Sequence, residues 1–447
     1  MKKLFGTDGI RGRAGEFPLD RETVRVIGAS LARLFAERLR RPPHFVSGRD
    51  TRESGEWIEA ALSAGALKAD AQIESAGIIT TPGVAFITSR YDFDAGIVIS
   101  ASHNPFEDNG IKVFLPNGQK LDEASERVLE SYIFDRKEID LLDHGALDSG
   151  RRDEFFSEYL DHFKMRFPGL SLAGWRMVVD CANGAASRFA LPLFESFGAE
   201  VHTINDSPDG QNINKNCGSL HLECLQKKVV SEHADFGVAF DGDADRALFA
   251  DENGEVVDGD GALWIVARRL QDEGRLTNST VVATVMSNIG LEIALTSRGI
   301  RLIRTAVGDK YVLDELLTSG ASVGGEQSGH IIFPCESLVG DGLLTTLFVL
   351  DALAAKKRKL SKAVEGFTKF PQILVNVPVR EKLPFESVIP IADAAREIER
   401  ELDGSGRLLL RYSGTENLAR VMIEGREQAE VENQANYLAE IIRAELG

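Results

Sequence analysis

Strand-like apolar runs alternate with amphipathic helical patterns through most of this 447-residue chain. That alternation constrains the fold more than any single motif does. Val24, Ile27, Leu31, Leu34 and Phe35 recur on one helical face behind Asp20, a side chain suited to capping a helix start. Phe45-Val46 then reads as a strand, closed by the polar turn Gly48-Arg49-Asp50. Similar units open at Met177-Val178-Val179, Val281-Val282-Ala283 and Leu302-Ile303. The rhythm predicts an α/β fold of mixed, mostly parallel sheets covered by helices. The length exceeds one ordinary core, so two to four domains are expected.

Three polar turns follow or interrupt strand-like runs, about 100 or more residues apart, the spacing of domains. They are Ser100-Ala101-Ser102-His103-Asn104-Pro105, Asp241-Gly242-Asp243-Ala244-Asp245-Arg246 and Gly324-Gly325-Glu326-Gln327-Ser328-Gly329-His330. Polar and Gly-rich stretches near Asp148-Ser149-Gly150 and Asp258-Gly259-Asp260-Gly261 mark boundaries between them. The tail differs. Ile373 to Val379 reads as a strand, Ile391 to Leu402 as a helix, Leu408-Leu410 and Arg420-Ile423 as strands, and Val431 to Leu446 as a closing helix. The expected partition is three α/β units, 1–150, 151–257 and 258–369, followed by a small α+β unit, 370–447.

Composition narrows the partners. Lys and Arg number 51 against 69 Asp and Glu, a formal charge of −18, which disfavours nucleic acid and anionic membranes. An anionic substrate would need a locally basic cleft. The start, Met1-Lys2-Lys3-Leu4-Phe5, is broken by Gly6-Thr7-Asp8-Gly9, so no signal peptide is read. The longest apolar stretch, Leu343 to Ala355, contains Asp351 and is too short to span a bilayer. The four cysteines, Cys181, Cys217, Cys224 and Cys335, form no Cys-x-x-Cys pair. Cys217, His221 and Cys224 lack an evident fourth zinc ligand, so buried free thiols in a reducing cytoplasm are expected.

Ser102 follows the buried strand Ala95-Gly96-Ile97-Val98-Ile99, a place where a serine meets a cleft and can carry a covalent group. Asp241, Asp243 and Asp245 alternate, so three carboxylates can converge on a hard cation with oxygen ligands, Mg²⁺ by geometry. A phosphorylated Ser102 would add a further oxygen ligand and a reason for the metal, charge neutralisation in phosphoryl transfer. Each motif alone has a plainer reading, a self-bonded turn or a solvated acidic loop. Together they favour catalysis.

In order with Phe5-Gly6-Thr7-Asp8-Gly9-Ile10-Arg11-Gly12 at the start and Arg411-Tyr412-Ser413-Gly414-Thr415-Glu416 in the tail, these runs resemble the α-D-phosphohexomutase superfamily over essentially the whole chain. The opening motif and the Glu-Gln-Ser-Gly-His form are similar to its amino-sugar branch, the phosphoglucosamine mutases. The resemblance implies four domains around a central cleft. It implies interconversion of glucosamine 6-phosphate and glucosamine 1-phosphate for UDP-N-acetylglucosamine synthesis, through a phosphoserine and a bisphosphorylated sugar. It implies Ser102 with Asp241, Asp243 and Asp245 at the metal, and Arg246 and Arg11 on the transferring phosphate. Lys112 and His330 would be acid, base or charge stabiliser, and Glu326 and Ser328 would meet sugar hydroxyls. Arg411, Ser413, Gly414, Thr415 and Arg420 would hold the distal phosphate, with Gly308-Asp309-Lys310 adding contacts. If the 326–330 loop is extended, Glu326, Ser328 and His330 face one way.

The sequence departs from the family pattern at Ala244, where glycine is usual, at Tyr412 and Asn417 beside the phosphate loop, and at Lys310, where arginine is common. Ala244 is strained only if its φ is positive. Two alternatives stay open: a mutase of the same fold preferring mannose or glucose phosphates, and a non-catalytic binding protein on the same scaffold. A metal-dependent phosphatase is a minor third. A homodimer is compatible with the sequence.

Overall fold

The computed structural model describes residues 4–6, 8–135, 149–402, 404, 406–413 and 417–447. Its first sheet contains β1 (Phe5–Gly6), β2 (Gly9–Arg13), β3 (His44–Arg49), β4 (Gln72–Ile78), β5 (Ala95–Ile99) and β6 (Asp108–Phe114). The order is β1-β2-β6-β5-β3-β4. The second sheet contains β7 (Arg176–Asp180), β8 (Glu200–Ile204), β9 (Phe236–Phe240), β10 (Ala247–Asp251) and β11 (Val256–Val257), in the order β11-β10-β9-β7-β8. The third contains β12 (Thr280–Thr284), β13 (Arg301–Thr305), β14 (Gly324–Gly325) and β15 (Ile331–Ile332), in the order β13-β12-β14-β15.

These sheets share one plan. Number four strands of each unit in chain order: β3 to β6, β7 to β10 and β12 to β15. Each set then runs second-first-third-fourth across its sheet. The first three strands are parallel and the fourth is antiparallel to the third. Ser102, the Asp241–Arg246 run and the 326–330 turn occupy the same place in each plan, the connection from third to fourth strand. In open α/β sheets the carboxyl ends of parallel strands form the ligand crevice.

Parallel strands covered on both faces are largely apolar, and β5, β9 and β12 are buried at every residue. One continuous core joins the units. Helix Arg152–Arg166 supplies Phe155, Tyr159 and Phe163, which pack beside Phe93, Phe189 and Phe240. The other face of the first sheet packs on helices Arg21–Leu39 and Glu53–Lys68. Asp20 caps the first of these by accepting from Thr23 N at 2.9 Å.

The tail forms β16 (Gln372–Pro378), helix Ile389–Leu402, β17 (Arg407–Tyr412), β18 (Leu418–Glu424) and helix Gln428–Leu446. The sheet is antiparallel, in the order β16-β18-β17, with its own core. The apolar stretch from Leu343 lies in the buried helix Gly342–Lys356. No helix among the described residues is long and apolar enough to cross a membrane.

One expectation changes: two of the four thiols expected to be buried are exposed. Cys181 and Cys217 are buried, but Cys224 and Cys335 are exposed. In the run Asp258-Gly259-Asp260-Gly261, Asp258 caps helix Gly259–Asp272, accepting from Asp260 N and Gly261 N. Asp148, in the other boundary run, lies outside the described residues.

Candidate active site

Ser102 is buried in the turn after β5 and adopts a left-handed φ of 53°. Its Oγ donates to Asp241 Oδ2 at 2.6 Å and lies 3.3 Å from His103 Nδ1. The unit carrying the serine thus meets the unit carrying the carboxylates at the serine oxygen itself. Gly242 permits this approach, because a Cβ there would lie 2.6 Å from Ser102 O.

Asp241, Asp243 and Asp245 are buried, and one carboxylate oxygen from each lies within 4.8 Å of the others. Asp243 Oδ1 has no hydrogen-bond partner. Burial, then the neighbouring Asp245 and Asp243, push Asp241 well above the usual carboxylate range. Three buried carboxylates with an orphaned oxygen fit a hard divalent cation that ligates oxygen. Among the described residues this is the one such set of three, and Cys217, His221 and Cys224 form none.

Lys112, on β6, places Nζ 3.0 Å from Asp243 Oδ2, 3.0 Å from Asp8 Oδ2 and 3.6 Å from Asp245 Oδ2. Burial opposes its charge, yet Asp243, Asp8 and Asp245 hold it well above the usual lysine value. It is a fixed cation beside the carboxylates. Asp8 also pairs with Arg11 and Lys120, and Lys120 reaches Asp309 of the third unit. Arg11 Nη1 is 3.4 Å from Asn104 Oδ1, beside the serine turn. Arg246 donates its backbone N–H to Asp241 Oδ1 at 3.2 Å, and its Nε lies 3.8 Å from Asp245.

The 326–330 segment is a tight turn, not an extended strand. Glu326 N donates to His330 O and Gly329 N to Glu326 O, with Gly329 at φ 89°. β14 and β15 pair antiparallel immediately outside it, so the chain reverses within five residues. Glu326, Ser328 and His330 therefore do not share a strand face. Glu326 accepts from Gly308 N at 3.1 Å and from Ser328 Oγ at 3.3 Å. His330 Nε2 lies 3.1 Å from Gly340 N, and its Nδ1 lies 3.5 Å from Asp245 Oδ1. Lys310 pairs with Glu123 of the first unit.

Family models cover nearly all of the chain. The phosphoglucomutase/phosphomannomutase α/β/α domains I, II and III match residues 2–140, 157–254 and 258–370, and the C-terminal domain matches 374–441. The chain belongs to the phosphoglucomutase/phosphomannomutase family. It is therefore a phosphohexomutase. A phosphoglucosamine mutase of Solibacter usitatus is 47% identical over 446 residues, spanning 100% of this chain and 99% of the relative. One of Caldicellulosiruptor saccharolyticus is 46% identical over 451 residues, spanning 100% of both. A Burkholderia thailandensis phosphoglucomutase/phosphomannomutase family protein shares the fold at TM-score 0.80 and 24% identity, over 99% of this chain and 98% of that one. Aspergillus fumigatus N-acetylphosphoglucosamine mutase, solved with GlcNAc-6P and magnesium, shares it at TM-score 0.68 and 19% identity, over 99% and 95%.

In this phosphohexomutase the tail sheet brings Arg411 and Arg420 directly opposite each other on β17 and β18. Ser413 follows, buried, with its carbonyl accepting from Lys382 Nζ at 2.7 Å. Gly414 and Thr415 lie outside the described residues. Sequence reasoning did not single out Asp8, Arg52, Thr81, Lys120 or Asn214. Thr81 Oγ1 donates to Asp243 Oδ2 at 2.5 Å. Arg52 and Asn214 bond the serine turn's backbone. Their partners are distant in sequence, so spacing carried no signal. Asp8 alone sat in a motif, the opening Gly-Thr-Asp-Gly.

Proposed function

We propose that this phosphohexomutase interconverts glucosamine 6-phosphate and glucosamine 1-phosphate, supplying UDP-N-acetylglucosamine synthesis in the cytoplasm. The observation that carries the reading is the 2.6 Å contact of the buried Ser102 Oγ with Asp241, inside a set of three convergent carboxylates. The named function of relatives at about 45% identity supports the amino-sugar substrate.

In this reading Ser102 is phosphorylated at rest. A sugar hydroxyl attacks the phosphorus, the P–Oγ bond breaks, and a bisphosphorylated sugar forms. It turns over in the cleft and returns its other phosphate to Oγ. Asp241, Asp243 and Asp245 would hold Mg²⁺, which supplies charge neutralisation at the transferring group. Lys112 keeps its own positive charge beside those carboxylates. Arg11 and Arg246 steady phosphoryl oxygens. His330 takes the proton of the attacking hydroxyl. Glu326 and Ser328 meet sugar hydroxyls. Arg411, Ser413, Gly414, Thr415 and Arg420 hold the phosphate that is not reacting, and the four units divide near residues 150, 257 and 369.

The test compares glucosamine 6-phosphate with glucose 6-phosphate, with sugar bisphosphate supplied. A higher kcat/KM for the amino sugar supports the assignment. Equal or reversed preference makes the chain a hexose-phosphate mutase of the same fold.

A further inference from the structure

We propose that Arg52 and Asn214 are positioning residues for the transfer at Ser102, forming a two-sided clamp on the backbone of the serine turn. The proposal rests on the phosphoserine reading above.

Arg52, at the start of the helix after β3, has a fully buried side chain. Its five N–H donors are all committed. Nε donates to Asp50 Oδ2 at 2.9 Å. Nη2 donates to Ser102 O at 2.9 Å and Asn104 O at 2.8 Å. Nη1 donates to Asp108 O at 3.0 Å and to Pro105 O. A buried guanidinium is tolerated only when so fully bonded. With no donor left for a ligand, Arg52 acts through the turn and touches no substrate.

Asn214 reaches the same turn from the second unit. Its Nδ2 donates to Ser102 O at 2.8 Å and Asn104 O at 3.1 Å. The carbonyls of residues 102 and 104 each take one donor from each side. A third tie comes from Asp50: it accepts from Ser100 Oγ at 2.6 Å, and Ser100 Oγ accepts from Ser102 N at 2.9 Å.

These bonds hold Ser102 at a φ of 53°, a conformation serine rarely adopts. Released, the turn would relax and carry Oγ away from Asp241. The metal run leaves room for the clamp: a Cβ at Gly242 would lie 2.9 Å from Asn214 Nδ2 as well as 2.6 Å from Ser102 O. The second unit thus supplies both the carboxylates and the amide that fixes where the serine meets them.

Asn214 itself has a φ of 57°, which glycine accepts freely. Asn214→Gly therefore deletes the amide without straining the backbone. Asn214→Asp turns a donor into an acceptor against two carbonyls. The readouts are steady-state kinetics, a thermal melt, and single-turnover transfer from phosphorylated enzyme to glucosamine 1-phosphate followed by intact mass. Asn214→Gly is expected to lower kcat and the single-turnover rate by about tenfold to a hundredfold. KM for both monophosphates should stay within about twofold, and the melting temperature close to the parent's, as for a loss confined to positioning. Asn214→Asp is expected to be slower still. Arg52→Lys, which cannot bridge four carbonyls, should slow transfer at least as much wherever it folds. Transfer by Asn214→Gly at the parent rate overturns the clamp, as does a loss of activity that merely tracks unfolding. If the parent itself carries and transfers no phosphate at Ser102, the mutase reading fails instead.

Discussion

Arg411 on β17 faces Arg420 on β18 across an antiparallel pair, two guanidinium-bearing residues in direct register. Like charges so placed repel, and burial and then Arg420 hold Arg411 below its usual value. A phosphate dianion between them would offset that repulsion, and its oxygens fit two planar guanidiniums.

Arg411→Ala should therefore weaken binding of both glucosamine 6-phosphate and glucosamine 1-phosphate. The loss of one charge-assisted phosphate contact, about 1.5–3 kcal/mol, is roughly tenfold to a hundredfold in affinity. The melting temperature should stay close to the parent's. Isothermal titration beside a melt checks this; normal binding of both isomers with a lowered melt would make the pair structural only.

Magnesium should raise the melting temperature in a concentration-dependent way, because bound cation stabilises the folded state by mass action and relieves the repulsion among Asp241, Asp243 and Asp245. Asp243→Asn should abolish most of the shift. Differential scanning with and without chelator tests it, and an equal shift in the variant would place the cation elsewhere.

Ala244 sits at a φ of 57°, fully buried. Replacement by glycine relieves about 1–2 kcal/mol of left-handed strain. It also removes a buried methyl, about 0.8 kcal/mol, and adds about 0.4–1 kcal/mol of unfolded-state entropy. The terms nearly cancel, so Ala244→Gly should change stability by less than about 1 kcal/mol. Ala244→Val, β-branched and oversized, should be strongly destabilising. Denaturant titration of both variants decides.

Burial, then the neighbouring Asp258, push Asp260 up to about 7. Its Oδ2 accepts from Asn288 N at 2.7 Å. The folded value exceeds the unfolded one, so the native state takes up a proton between them. The stability from this group is fully present below about pH 4 and is lost as pH rises through about 7. Asp260→Asn keeps an acceptor and removes the titration. Its stability relative to the parent should rise from pH 4 to pH 8, by no more than about 4 kcal/mol. A flat difference would show that Asp260 stays ionised in the fold.

The sequence made the strands and the serine and aspartate turns legible, because their apolar runs and turn residues act locally. Asp20 as a helix cap and the strand–helix–strand–strand–helix tail were readable for the same reason. The common strand order was not, since pairing is non-local. The 326–330 spacing suggested one strand face, but Gly329 and the β14–β15 pairing fold it into a turn. Lys120, Thr81, Arg52 and Asn214 were invisible because their partners lie elsewhere in the chain. Ala244 was flagged as a conditional strain, and its positive φ meets the condition.

The central claim is that Ser102 carries the phosphate. Intact mass of gently purified enzyme, with peptide mapping, should show a species about 80 Da heavier with the addition on Ser102. Added glucosamine 1-phosphate should remove that mass as sugar bisphosphate appears, and Ser102→Ala should neither carry the group nor turn over. Robust turnover by Ser102→Ala, with sugar bisphosphate supplied, would contradict the account.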